Sequence, residues 1–400
     1  MQTATLRLAC LLLTSLGLAA PMTALAQTSE WQQRIAPGTK AVPKATPPQA
    51  PAGAPAPKPK VKAETVEAGK APTAPLVGPQ KGTLPTLRPS LGPSTVPNES
   101  VHNKASTDPA YDAYDQGKYL TALELAEKAA RNGEAQAFTL IGRIHAEGLA
   151  VPQNYATAAK AYAKGVELGD IEAAFSLGAL YAQGQGVELN YDTAAKLFET
   201  AALKGHALAN YNLAQLFLRG KGKTENPRRA HAHMLYAAER GVVAAQYDVA
   251  TMLATGIGTE ANAFEGAKWM AKAARAGHVE AEIEYAIILF KVDVDPNEPD
   301  PLAKRDAEAK QKAAHAEAVT LLKSAAEKGN AIGQNRLARC YANGLGVAKD
   351  LVEAAKWNLI ARDGGIEDEG LDKMLAKLSR ADKQKAEVAA DAWRDRSQVQ

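Results

Sequence analysis

The chain has 400 residues, a formal net charge of +3 and two cysteines, Cys10 and Cys340. Residues 27–107 carry a net charge of +6, whereas residues 108–400 carry 36 Lys and Arg against 40 Asp and Glu. A net negative segment of that length lacks the basic field that attracts phosphates, so the composition disfavours nucleic acid as a partner.

The first 26 residues are typical of a secretory signal peptide. Arg7 precedes an apolar run of 13 residues (8–20), and the Ala-Leu-Ala of residues 24–26 offers a cleavage site before Gln27. The run is too short to cross a bilayer as a helix, which takes about 20 residues. We therefore expect a periplasmic or secreted protein without a transmembrane span in its mature chain. Retention of the leader as an anchor, including a lipid anchor on Cys10, is the open alternative.

Residues 27–107 follow as a Pro-, Ala- and Lys-rich segment. Fifteen of the 22 prolines lie in residues 37–97. Such a composition forms no hydrophobic core, and it predicts a disordered, extended linker. A sharper alternative is that Lys58, Lys60 and Lys62 hold anionic envelope polymers, which would make the protein cell-wall-associated through its tail.

From residue 108 onward the chain is periodic. Five of the six gaps between seven glycines are 36 residues and the sixth is 52; these glycines are Gly133, Gly169, Gly205, Gly241, Gly277, Gly329 and Gly365. A fixed period of this size predicts stacked units, each too small to bury its apolar face alone. Each period contains two helical patterns, for example residues 171–183 and 191–204 around a Gly184-Gln-Gly186 turn.

The repeat carries a recognisable pattern, A-x3-L-G-x2-Y-x2-G-x-G-V followed by A-x2-[FW]-x2-A-A-x2-G. Its first part is intact at Ala173, Leu177, Gly178, Tyr181, Gly184, Gly186 and Val187. Over residues 108–365 the chain resembles the Sel1-like repeat, a relative of the tetratricopeptide repeat. The resemblance implies an all-α solenoid, a right-handed superhelix of helical hairpins, and an adaptor role like that of exported bacterial members. The paired cysteines of the cysteine-rich branch are not matched, so its β-lactam binding is not carried over.

Two departures from the period set the remaining boundaries. The fifth unit lacks the glycine turn and carries an insertion near residues 291–310, which we expect to project from the edge of the stack. Beyond Gly365 the period ends, and Ser379 to Asp382 resembles a capping box that opens a last polar helix. We interpret residues 366–400 as capping helices that cover the final hairpin.

Polar residues recur on the first helices seven, ten and fourteen positions after each period glycine, a spacing that keeps them on one side. By analogy with related helical repeats, we expect this side to line the concave groove and to bind a partner protein or peptide. The predicted partner-binding residues are Arg143, Glu147, Ser176, Gln183, Asn212, Gln215, Arg219, Asp248, Thr251, Thr255, Glu284, Arg336, Arg339 and Asn343. Simple solvation of these side chains is the open alternative.

Two clusters suggest metals, and both are disfavoured. His231 and His233 are two residues apart on a predicted helix and point in different directions. The insertion offers four possible calcium ligands: Asp293, Asp295, Asn297 and Asp300. However, Glu298 stands where an EF-hand loop needs glycine, and Lys304 where it needs glutamate.

No motif in the chain indicates catalysis. The sequence contains no G-x-S-x-G, H-E-x-x-H or phosphate-cradling loop, and the G-x-G turns follow helices as caps. We therefore predict no catalytic residue, metal or cofactor. The favoured function is an exported protein–protein interaction scaffold or regulator. The alternatives are peptidoglycan binding through the basic tail and, disfavoured, an envelope hydrolase acting on peptidoglycan or β-lactams.

Overall fold

The computed structural model describes residues 108–397. The predicted signal peptide (1–26) and linker (27–107) lie outside the described residues. Within residues 108–397, no helix combines the length and the apolar character that crossing a bilayer would take.

The described part of the chain forms sixteen α-helices and no strand. In chain order they are α1 Pro109–Asp115, α2 Tyr119–Arg131, α3 Ala135–Glu147, α4 Tyr155–Glu167, α5 Ile171–Gln183, α6 Tyr191–Leu203, α7 Ala207–Arg219, α8 Pro227–Glu239, α9 Val243–Thr255, α10 Ala263–Arg275, α11 Val279–Phe290, α12 Pro301–Glu327, α13 Ala331–Asn343, α14 Leu351–Asp363, α15 Glu369–Leu375 and α16 Arg380–Ser397. Helices α1 to α14 pair into seven hairpins.

Each helix up to α14 packs mainly against the helices before and after it in the chain. First helices of neighbouring hairpins also touch, as α3 does with α5. This nearest-neighbour packing is that of a solenoid, so the predicted all-α solenoid is confirmed.

The core is narrow because small residues let the helices approach closely. Gly142 on α3 faces the ring of Tyr162, and a methyl group there would lie 2.5 Å from the ring. Gly178 on α5 faces Phe198 in the same way, at 2.9 Å. The equivalent position is alanine in the later hairpins, where the facing residue is Met, Leu or Asn. Glycine thus stands where the hairpin encloses an aromatic ring.

The turns inside the hairpins bind successive units together. The first glycine of each G-x-G pair ends a helix in the left-handed conformation, as Gly184 does with φ +67°. The second glycine of the pair is required for a different reason. A side chain on Gly222 would collide with the backbone carbonyl of Tyr191, at the start of the preceding second helix. Gly186, Gly258 and Gly346 make the same close approach.

The insertion, which belongs to the fifth unit of the glycine period, lies in the sixth hairpin, between α11 and α12, and is mostly helical. A loop spans residues 291–300, and α12 then begins at Pro301, capped by the Asp300 side chain, and runs for 27 residues. Other second helices begin 14 residues before their period glycine, which corresponds to His315. Residues 301–314 are therefore additional, and at a rise of about 1.5 Å per residue they lengthen α12 by roughly 20 Å. Gln311 donates a hydrogen bond to the carbonyl of Val292 at 3.2 Å, which ties this extension to the loop.

The C-terminal helices lie against the last hairpin. Helix α16 packs on α14, where Trp357 and Trp393 meet edge to face with centroids 6.0 Å apart. The Oγ of Ser379 accepts a hydrogen bond from the Asp382 N–H at 3.1 Å, as the capping box requires.

Candidate functional site

The polar side of the first helices carries contacts between most neighbouring hairpins. We call it the ladder face, and define it by α1, α3, α5, α7, α9, α11 and α13 with the polar residues that join them. It forms because each first helix turns its apolar side to its own hairpin partner and its polar side toward equivalent residues of the next hairpin.

At the N-terminal end, three contacts join four hairpins. The Tyr114 hydroxyl donates to Glu147 Oε2 at 2.9 Å, and Arg143 pairs with Glu172 at 3.7 Å. Glu172 also meets His206 Nε2 at 3.0 Å. Burial opposes ionisation of Glu172, but His206 and Arg143 together hold its pKa below the usual value. Burial instead raises the pKa of Glu147.

In the middle, Asp248 on α9 is the central acceptor. Gln215 Nε2 donates to Asp248 Oδ2 at 2.9 Å, and Tyr211 is also hydrogen-bonded to this carboxylate. Burial raises the pKa of Asp248 to about 6, against the opposing effect of Tyr211 and Arg219. One hairpin further, the Tyr247 hydroxyl donates to Glu284 Oε1 at 2.8 Å. In this middle part, carboxylates therefore join hairpins by accepting from neutral donors.

At the C-terminal end, the Asp368 carboxylate accepts hydrogen bonds from three of the described residues. Arg339 Nε donates to Asp368 Oδ2 at 2.6 Å, and Asn335 Nδ2 donates to the same oxygen at 3.1 Å. The other oxygen accepts from the Leu371 N–H at the start of α15. Burial alone would raise the pKa of Asp368, but these donors and the Arg339 charge hold it below its usual value.

The predicted partner-binding residues fall into three classes of exposure. The exposed ones are Arg219, Thr255, Glu284 and Asn343; the half-buried ones are Arg143, Glu147, Gln183, Gln215, Asp248, Thr251, Arg336 and Arg339; the buried ones are Ser176 and Asn212. The burial of Ser176 and Asn212 corrects the expectation that they line an open groove. A short side chain at that position ends within the packing surface, whereas the longer Glu284 reaches out of it.

The structure also adds residues that sequence reasoning missed. Glu172, His206, Tyr211, Tyr247 and Asp368 all hold predicted ladder-face residues in place. The spacing of donors and acceptors could have indicated some of these contacts. Donor and acceptor are 33 residues apart, three fewer than the period, in the pairs 114 and 147, 215 and 248, and 335 and 368.

Three half-buried side chains of the ladder face keep a buried polar atom without a hydrogen-bond partner among the described residues. They are Glu147 through Oε1, Gln183 through Nε2 and Arg336 through Nε. These atoms lie in the second, third and seventh hairpins, so they are spread along the repeat rather than gathered in one cleft.

Four of the residues considered for metal binding, His233, Asp293, Asp295 and Asp300, have local hydrogen-bond partners, whereas His231 Nε2 is buried without one among the described residues. His233 Nδ1 is hydrogen-bonded to Asn210 at 2.9 Å, and burial lowers the pKa of both His231 and His233. Asp293, Asp295 and Asp300 accept from backbone N–H groups of their own segment. In the part of the chain that the structure describes, no three such side chains cluster in a way that would hold an ion.

Comparison with known families now decides the classification. The Sel1 repeat matches residues 115–134, 139–170, 171–206, 207–242, 243–278, 311–330 and 331–365, more than half of the chain. The chain belongs to the Sel1 repeat family. The resemblance read from the repeat pattern is confirmed, and the gap between the fifth and sixth matches falls on the insertion.

One solved structure, that of a Sel1 repeat protein, agrees with this assignment. A Sel1 repeat protein from Oxalobacter formigenes is 25% identical, with a TM-score of 0.52 over 66% of this chain and 97% of that one. A protective antigen of uropathogenic Escherichia coli displaying an SLR fold is 22% identical, with a TM-score of 0.41 over 68% of this chain and 71% of that one. None of the curated proteins compared with the chain matches it.

Proposed function

We propose that this Sel1 repeat protein is an exported scaffold that binds a segment of a partner protein along its ladder face. Sel1 repeat solenoids generally act as scaffolds for protein–protein interaction, without catalysis of their own. Export to the periplasm or the exterior is supported by the leader pattern of residues 1–26.

The three unpartnered polar atoms of Glu147, Gln183 and Arg336 carry the proposal. A buried donor or acceptor without a partner costs on the order of 1–3 kcal/mol. An extended polypeptide offers both carbonyl acceptors and N–H donors along its length. A segment bound along the ladder face would therefore offer these half-buried side chains hydrogen-bond partners that the free solenoid does not supply.

The spread of these atoms sets the size of the bound segment. From the hairpin of Glu147 to that of Arg336 there are five steps between neighbouring first helices. At a helix spacing of about 8–10 Å, the distance is roughly 40–50 Å. An extended peptide of about 12–15 residues spans that length.

Affinity capture from envelope extract tests the proposal. We expect a triple variant, Gln183→Ala, Arg219→Ala and Glu284→Ala, to lose a protein that the unchanged chain retains, because two of these side chains are exposed and the third has an unpartnered donor. Mass spectrometry identifies the protein, and circular dichroism checks that helicity is kept.

The matched control changes three exposed lysines of second helices, Lys160, Lys196 and Lys268, to alanine. This control should retain the partner. Retention by the ladder-face variant, or loss by the control alone, would contradict the proposal.

A second candidate is peptidoglycan binding through Lys58, Lys60 and Lys62, which the +6 charge of residues 27–107 favours. In that case a peptide of residues 27–107 alone would cosediment with cell wall material. The scaffold proposal predicts instead that removal of these three charges leaves the captured protein unchanged.

A further inference from the structure

Arg336 on α13 differs from the other charged residues of the ladder face that the structure describes. Its Nε is buried without a hydrogen-bond partner, and its guanidinium forms no ion pair within residues 108–397. A guanidinium is a planar array of five donors that stays charged in proteins. An unpaired and half-buried one is costly unless something binds it.

The carboxylates that act on Arg336 and on its neighbour Arg339 are already engaged. Glu284, whose charge acts on Arg336 from the preceding first helix, accepts the Tyr247 hydroxyl at 2.8 Å. Asp368 accepts Arg339 on one oxygen and the Leu371 N–H on the other. The fold therefore supplies partners for these acids and leaves Arg336 without one.

The electrostatic surroundings agree. Burial and the positive charge of Arg339, one turn away, lower the pKa of Arg336, which means that the surroundings destabilise its cationic form. An added negative charge would relieve both effects.

We infer that Arg336 binds the carboxylate of an acidic side chain in the segment that occupies the ladder face. The inference rests on the proposed function and names the chemistry of the partner: an acidic peptide with a Glu or Asp placed at the seventh hairpin. A carboxylate fits a guanidinium through two parallel hydrogen bonds and matches its single charge. A phosphate dianion fits less well, because it would leave excess negative charge beside Glu284.

The test is an NMR titration of the full chain labelled with ¹⁵N-arginine, in which the Arg336 Nε–H signal is assigned by its absence from the Arg336→Gln spectrum. The probes are acetyl-Gly-Glu-Gly-amide and its neutral analogue acetyl-Gly-Gln-Gly-amide. We expect the acidic peptide to shift the Arg336 signal saturably and to bind at least roughly tenfold more tightly than the neutral one, as a charged hydrogen bond implies. Arg219, which already donates to Gln215 at 3.2 Å, is the internal control and should shift less.

Each other outcome overturns the inference. An Arg336 signal that does not move, or that follows both peptides equally, shows that the residue selects no carboxylate. An equal response to inorganic phosphate shows a general anion site. The titration needs no partner protein, so its failure is distinguishable from failure of the capture experiment, and either result can stand without the other.

Discussion

At the scale of single residues, the second glycine of each G-x-G turn meets two structural requirements that only glycine satisfies. Both glycines of the turn adopt positive φ, but only the second also touches the backbone of the preceding hairpin. The sequence predicted a tight reversal from these glycines. It could not show the close approach, because that contact joins residues about 30 positions apart.

Gly222→Ala is predicted to destabilise the solenoid by more than the ordinary cost of a left-handed alanine. The strain of the conformation alone is about 1–2 kcal/mol, and the added methyl group would also collide with the Tyr191 carbonyl. Urea unfolding measures the loss. Gly241→Ala is the matched control, because Gly241 has φ +83° and nothing within 4 Å of the added methyl group. Equal losses in the two variants would show that the contact does not matter.

Ala150 offers the reverse change. It occupies the position of the second turn glycine in the second hairpin and has φ +59°, the only non-glycine residue with positive φ in the described part of the chain. We expect Ala150→Gly to raise the free energy of unfolding by about 0.5–1 kcal/mol, because glycine adopts this conformation without steric strain. The same substitution at Ala156, an exposed helical residue of α4, should lower stability instead. Destabilisation by both would show that Ala150 is not strained.

At the scale of helices, the repeat pattern predicted the helix boundaries where the 36-residue period is kept. The predicted helices 171–183 and 191–204 match α5 and α6, which end at Gln183 and Leu203. The sequence analysis missed the helical extension of α12, because residues 301–314 are rich in Ala and Lys and lack an apolar stripe. The ladder-face residues were selected by spacing, and partners such as Tyr211 and Tyr247 were missed because they lie six positions after their period glycine, outside the selected positions.

Inter-helix polar contacts should make the stability depend on pH. The folded-state pKa of Asp248 is raised to about 6 from 3.8, so the folded protein binds more protons than the unfolded chain between about pH 4 and 6. Its contribution is therefore most favourable at low pH and is lost as the pH rises through about 6. The free energy of unfolding, measured in urea from pH 4 to 7, should fall across this window relative to that of Asp248→Asn. Parallel profiles for the two proteins would rule out a raised pKa at Asp248.

At the scale of the whole described solenoid, the hairpins repeat one packing arrangement. Each hairpin packs on its neighbours through the same columns of small and apolar residues, and the ladder face continues from one to the next. The described chain is thus a periodic stack with a periodic polar side. The proposed function depends on that periodicity, since an extended partner could meet equivalent positions in successive hairpins.

Excision of one period tests this account most directly. Removing residues 206–241 deletes α7 and α8 and joins Gly205 to Val242 in phase. We predict a single cooperative urea transition and a loss of helical signal that corresponds to two 13-residue helices. Removing only residues 206–223, half a period, should break the alternation of first and second helices and abolish cooperative unfolding. If the in-phase deletion also unfolds the protein, or if both deletions are tolerated equally, the hairpins are not repeating units of one stack.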